Sequence, residues 1–185
     1  MHDRLAPLDP PYAPDTADTL AAMMPPGMPP LRLFRTLAHN PRVLAKIRAS
    51  NLLDRGSLER RQREIVILRT TARCRCEYEW GVHVAFFAAK VGLGAAEIAA
   101  TVHGSADARV WSPAERLLIR LADELHESAR LSDALFAELR GHFRDDQLVE
   151  LVVLAGFYHT ISFAVNGLGV ELEDYAVRFP ARLAR

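Results

Sequence analysis

The chain has 185 residues, enough to bury one sizeable core, and half of them are hydrophobic, which excludes a disordered polymer. Its 23 Lys and Arg balance 23 Asp and Glu, so no net field draws it to nucleic acid or to an anionic membrane, and neither is expected as a partner. Cys74 and Cys76 are the only cysteines; one intervening residue suits no disulfide framework, and the N-terminus lacks a charged start followed by an apolar run, so a cytoplasmic protein is expected.

Residues 1–30 carry Pro7, Pro10, Pro11, Pro14, Pro25, Pro26, Pro29 and Pro30, which fix φ and remove donors. They read as an extended arm, mobile or laid over a neighbouring subunit, with one helical turn near Thr19 to Met24. Residues 31–185 read as a single helical domain. Asn40-Pro41 caps a helix reaching Leu53, and Gly56-Ser57 breaks and recaps the chain. The next helix runs from Leu58 to Arg73 with Ile65, Leu68 and Ala72 on one face. Arg60, Arg61, Arg63, Arg69, Arg73 and Arg75 crowd this region and read as a solvated face.

A further helix spans Cys76 to Val91 and stops at Gly92 and Gly94, and Ala95 to Val102 forms a short one before Gly104. Ser112-Pro113-Ala114-Glu115 is a capping box that opens a helix to Ser128. Ser132 caps another to Phe143, and Asp145-Asp146 opens a long apolar helix ending near Gly167 and Gly169. Glu150 and His159 inside the apolar stretch from Leu148 to Val165 favour a buried helix over a membrane span. No stretch alternates with period two, so the class is all-α. Arg63 to Leu68, leading into Tyr78 and His83, echoes Asp146 to Leu151, leading into Tyr158 and His159, and two related helical hairpins packed together would produce such an echo.

Cys76, Glu79, Trp80 and His83 fall at i, i+3, i+4 and i+7 of one helix, a stripe holding a thiol, a carboxylate, an indole and an imidazole. Glu79 is one turn from His83 and can fix its tautomer and raise its pKa. Cys76 opens the helix, where free N–H groups and the dipole favour a thiolate. These are ingredients of acid–base or nucleophilic chemistry. A metal is not expected: Cys76 and His83 are separated by a rise of roughly 10 Å at about 1.5 Å per residue, and Glu79 with His83 would need a ligand such as His159 from elsewhere.

Arg63-Glu64-Ile65-Val66-Ile67-Leu68-Arg69, with Cys76 twelve residues after Glu64 and His83 beyond it, resembles the carboxymuconolactone decarboxylase and alkylhydroperoxidase AhpD-like family. Its pattern is a Glu, eleven residues, then C-x-x-C-x-x-x-H. Glu64, Cys76 and His83 are in register, and Glu79 stands where the second Cys would be. The likeness extends from about Leu31 to Leu172, including Asn166-Gly167-Leu168-Gly169. It implies an AhpD-like helical bundle, a homo-oligomer (trimer, hexamer or dimer), no cofactor, and Glu64 and His83 as the proton-handling pair beside Cys76. On an unbroken helix Glu64 would lie roughly 18 Å from Cys76, so the site that the resemblance implies forms only if the chain turns around Arg73 to Arg75.

Three functions are compatible with these residues. The first is a decarboxylase-like enzyme acting on a small lactone or enol acid, with His83 as acid or base, Glu79 orienting it, Glu64 sharing the relay and Cys76 lining a pocket shaped by Tyr78, Trp80, Tyr158 and His159. The second is a thiol peroxidase using Cys76 alone, with Cys74 at the wrong offset to resolve it in the family's manner. The third is a helical oligomer that binds a ligand or partner without chemistry.

Overall fold

A computed structural model describes residues 4–50 and 52–181, and among them the chain is helical with no strand. Proline does not keep the arm apart from the domain. A helix, α1 (Pro14–Ala22), forms within it, longer than the single turn expected, and buries Leu20. The arm lies on its own chain: the Arg4 and Leu5 N–H groups donate to the Leu168 carbonyl at 3.2 and 3.3 Å, and the Leu8 N–H donates to Arg35. Leu20 joins Leu31, Leu33, Leu44 and Cys76 in one of two hydrophobic clusters, so the boundary expected at residue 30 cuts through a packed core.

Two short helices follow, α2 (Arg32–Leu37) and α3 (Pro41–Ala49), the second capped by Asn40 Oδ1, which accepts from the Val43 N–H at 3.2 Å. Helix α4 (Arg60–Arg73) starts two residues later than expected, where Gln62 Oε1 accepts from the Glu59 N–H. It is the axis of the fold. Residues 63–71 are all buried, not one face of them, because α4 packs against α6 (Ala95–His103), α7 (Pro113–Ser128) and α9 (Asp145–Leu168) as well as the segment that follows it.

Burial on all sides also corrects the solvated arginine face at Arg63 and Arg69, while Arg60 and Arg75 are exposed as expected. Arg63 and Arg69 are under 10% exposed and each is matched: Arg69 forks onto both oxygens of Asp123 at 2.7 and 2.8 Å, and Arg63 donates to the Leu53 carbonyl and to Glu64. A buried guanidinium is tolerated only when its donors are occupied in this way.

The helix expected from Cys76 to Val91 is not uniform. Helix α5 (Glu77–His83) passes directly into a π-helical turn at Val84–Ala88 and a 3₁₀ turn at Ala89–Val91, which ends at Gly92 in the left-handed region with φ 70°. The wide turn begins one residue after His83, and such insertions re-aim neighbouring side chains. Gly81 has a separate duty. A Cβ there would meet the Val177 carbonyl oxygen at 2.1 Å, and the Gly81 carbonyl accepts from the Val177 N–H, so the C-terminal strap crosses α5 at a point only glycine leaves open.

The capping box of α7 is present as expected, Ser112 and Glu115 each accepting from the other's N–H. Helix α8 (Asp133–Arg140) is capped by Ser132 and stops short of Phe143. Helix α9 ends at Gly169, φ 67°. It is long and apolar enough to cross a membrane, but 44% of its most apolar window is buried against the fold, and it packs on α4, α5, α7 and α8. The expected burial is therefore one-sided: Val149, Val153 and Phe163 are exposed. Glu150 is accounted for, its carboxylate accepting from the Ser57 N–H and hydroxyl at 2.6 Å each. The internal echo joins unlike shapes, since its first member turns between α4 and α5 whereas its second runs straight through α9.

Candidate active site

The turn that the resemblance implies between Glu64 and Cys76 is built without glycine or proline. The Cys76 N–H reaches back to the Thr71 carbonyl at 2.9 Å and the Arg75 N–H to Ala72 at 3.0 Å, the paired bonds of a Schellman C-cap. Arg75 occupies the left-handed position, φ 54°, usually given to glycine. Side-chain composition gave no local sign of it. Helix α5 then folds back along α4, bringing His83 level with Glu64.

The two side chains meet. Glu64 Oε2 lies 2.7 Å from His83 Nδ1, with the residues 1% and 3% exposed. Arg63 Nε donates to the other Glu64 oxygen at 3.3 Å, steadying the carboxylate. On the far side of the ring, His83 Nε2 faces the Tyr158 hydroxyl at 3.1 Å and Glu79 Oε1 at 3.4 Å. Phe87, delivered by the π-turn, and Tyr158 pack against the imidazole with ring centroids 5.1 Å away.

Burial by itself lowers a histidine pKa. Here it is outweighed by the charge and hydrogen bond of Glu64, and then of Glu79, so His83 is pushed up to about 9 and is an imidazolium at neutral pH. Both ring nitrogens then carry protons, one donated to Glu64 and one turned towards Tyr158 and Glu79. Tyr158 is held protonated, its pKa raised well above the usual value by burial and by the two carboxylates.

Glu64 rather than Glu79 is thus the residue that orients His83. Glu79 and Tyr158 instead line a narrow cavity of about 40 Å³ with Met23, Leu33, Phe34, Ile47, Leu53, Phe157 and Ile161. Glu79 Oε2 is buried with no hydrogen-bond partner. A carboxylate oxygen so placed is costly unless something binds there. The cavity's other wall comes from α2, α3 and the arm, which no motif marked. A larger cavity, about 650 Å³, lies apart from His83 between Arg75, Glu77, Val165 and Arg178.

Cys76 departs from expectation. It sits at the start of α5 but is fully buried in the cluster of Leu31, Leu33 and Leu44, and burial, then the Glu79 charge, pushes its thiol up to about 12. A seven-residue helix contributes too weak a dipole to offset that desolvation. The thiolate expected there is not formed. Cys74 is half-buried and also raised by burial.

Three of the four expected pocket-shaping residues lie elsewhere. Trp80 is core, donating Nε1–H to Thr101 Oγ1 at 3.0 Å and packing on Phe179. Tyr78 is an anchor whose hydroxyl donates to Glu173 at 2.6 Å and accepts from the Leu33 N–H. His159 points away from His83, towards His126. The metal set of Glu79, His83 and His159 therefore does not assemble. Only Tyr158 joins the centre.

The fold is shared with proteins of known structure. The alkylhydroperoxidase AhpD core of an uncharacterized peroxidase-related protein from Ralstonia eutropha JMP134 superposes with a TM-score of 0.79 at 20% identity, over 94% of this chain and 95% of that one. An uncharacterized peroxidase-related protein from Silicibacter sp. TM1040 gives 0.78 at 18% identity, over 95% and 96%. The debrominase Bmp8 in complex with 2,3,4-tribromopyrrole gives 0.78 at 14% identity, over 95% and 94%. At these identities the likeness concerns the AhpD-like helical fold alone. No curated protein sequence matches the chain. Residues 40–124, which hold Glu64, Cys76, Glu79 and His83, match the sequence model of the carboxymuconolactone decarboxylase family.

Proposed function

We propose that the chain is a carboxymuconolactone decarboxylase-like enzyme that moves protons on a small lactone or enol without redox chemistry. The observation that carries this reading is the buried Glu64–His83 pair, with the imidazolium turned towards two groups, Glu79 and Tyr158, that reach the cavity. His83 is not itself a wall of that cavity. It stores the proton, Glu64 holds it there, and Tyr158 or Glu79 passes it to the substrate. Glu79 takes a proton from the carbon next to a carbonyl, the C–H electron pair moves onto the carbonyl oxygen, and that oxygen receives a hydrogen bond and then the proton from Tyr158, which His83 resupplies. Glu79 then delivers its proton to carbon at the new position, and the enol oxygen returns its own through Tyr158 to His83, which restores the site.

The cavity also narrows the substrate. Its wall is apolar except for Glu79 and Tyr158, so a molecule bound there is small and mainly apolar, and a negative charge placed near the Glu79 oxygen is repelled. This favours a lactone or enol that is neutral at its reacting end over a free diacid. At about 40 Å³ the space is smaller than such a ligand, so α2, α3 and the arm must move outward for binding. The test is turnover of a lactone series with and without a carboxylate by the wild type and His83→Ala. Turnover that persists in His83→Ala removes this reading.

The thiol peroxidase reading has less support, because the buried Cys76 sulfur is protonated across the physiological range. Peroxide consumption lost on Cys76→Ser would restore it. Self-association belongs to the proposal too: Val149, Val152, Val153 and Phe136 leave apolar surface on α8 and α9, and sedimentation should find a dimer, trimer or hexamer.

A further inference from the structure

A second cluster of chemically active side chains lies on the other side of α9. Cys74 at the C-cap of α4, His126 in the last turn of α7 and His159 in the middle of α9 bring one ligand atom each to within 4.8 Å of one another. We propose that Cys74, His126 and His159 form a binding site for one Zn²⁺ ion, separate from the Glu64–His83 centre.

Two of the three separations match neighbouring corners of a zinc tetrahedron, and the third pair, Cys74 and His159, lies within 4.8 Å. Cys74 Sγ is 3.7 Å from His126 Nδ1, and His126 Nδ1 is 3.1 Å from His159 Nε2. Zinc with Zn–N near 2.0–2.1 Å and Zn–S near 2.3 Å places nitrogen pairs about 3.3 Å apart and nitrogen–sulfur pairs about 3.5 Å apart. The observed separations lie within a few tenths of an ångström of both.

The orientation of His159 supports the same conclusion. Its Nδ1 lies 2.8 Å from the Ala155 carbonyl, which can only accept, so that nitrogen carries the proton and Nε2 of the neutral ring presents a lone pair. A histidine ligand is commonly held in this way, by a backbone carbonyl on its other nitrogen. The donor set of two imidazoles and a thiol suits zinc rather than magnesium or calcium. All three residues are partly exposed, which leaves the fourth position to water.

Binding is balanced by one proton: Zn²⁺ displaces the hydrogen of the Cys74 thiol to solvent and takes both imidazoles neutral. The ion would join the end of α4 to α7 and α9, which are separated from Cys74 by 52 residues or more in sequence. It would thereby brace the turn that positions α5. No residue of the cluster is shared with the Glu64–His83 centre, so the proposal stands or falls without reference to the reaction.

The experiment is calorimetric titration of the chelator-stripped full chain with Zn²⁺. One ion per chain is expected, with an enthalpy that varies between buffers as one proton is released. Affinity should fall by about 100-fold or more in Cys74→Ser and in His159→Gln, while His142→Gln, on a surface histidine outside the cluster, changes nothing. Cobalt in place of zinc should give a thiolate-to-metal absorption band that Cys74→Ser abolishes. Should Cys74→Ser misfold, His126→Gln reads the same loss at a partly exposed position. Binding equal in all variants, or none in the wild type, overturns the proposal and leaves a hydrogen-bonded Cys–His–His chain.

Discussion

Tyr158 and His159 are neighbours on α9, yet they serve centres that differ in almost every physical respect. The Tyr158 centre is closed. Its histidine is 3% exposed and carries a carboxylate at one nitrogen and a carboxylate and a phenol at the other. The His159 centre is half-open, and its imidazoles meet a backbone carbonyl, a thiol and each other. Charge therefore outweighs burial at His83, raising it to about 9, whereas at His126 burial first, then His159 and Arg73, lower the pKa from the ordinary value. The same side chain is a proton store in one place and a neutral donor atom in the other. What surrounds it decides.

The contrast can be broken most directly at the closed centre. His83→Ala should lower turnover by about 10² to 10⁴-fold, the usual range for a lost proton-transfer group, and leave zinc binding unchanged. Glu64→Gln should lower it too and shift the basic limb of the pH–rate profile downward, since His83 loses the charge that raises it. Variants with unaltered profiles would show that the pair is structural.

Next in size is the strap over α5. Gly81→Ala must displace the Val177 backbone from 2.1 Å, and a loss of about 2–3 kcal/mol in denaturant unfolding is expected. The open centre, whose Cys74 lies three residues before α5, should keep its metal affinity. Coupled loss at both would show that the centres are less independent than their contacts suggest.

The stability–pH profile sharpens the comparison further. The His83 pKa is raised above its unfolded value near 6.5, so its stabilising contribution is complete below that pH and is lost as pH rises through about 9. Thermal melts should show wild type losing stability across this window and His83→Gln flattened over it, an effect on the order of 1–3 kcal/mol. A wild-type curve that is level from pH 6.5 to 9.5 would contradict the ion-paired imidazolium.

The smallest effect is expected at Cys76. With its thiol near 12, Cys76 should resist alkylation in the native protein while Cys74, half-buried, reacts first, and Cys76→Ser should change lactone turnover by less than about threefold. Fast labelling of Cys76 at neutral pH would return the chain to thiol chemistry.

The sequence determined the helical class and most helix starts, because those signals are local: Asn40 before Pro41 and Ser112 with Glu115 act within four residues. The pairing of Glu64 with His83 was legible only through the family resemblance, since nothing in the intervening residues marks the turn that joins them. Tertiary structure alone decided the remainder. Whether Cys76 is a thiol or a thiolate depends on Leu31, Leu33 and Leu44 closing over it from a segment some thirty to forty-five residues away in sequence. That Trp80 is core, that His159 faces His126, and that Arg75 adopts a left-handed turn follow from how α4, α5, α7 and α9 pack. Desolvation and cross-helix contact are properties of the assembled core, and no window of neighbouring residues contains them.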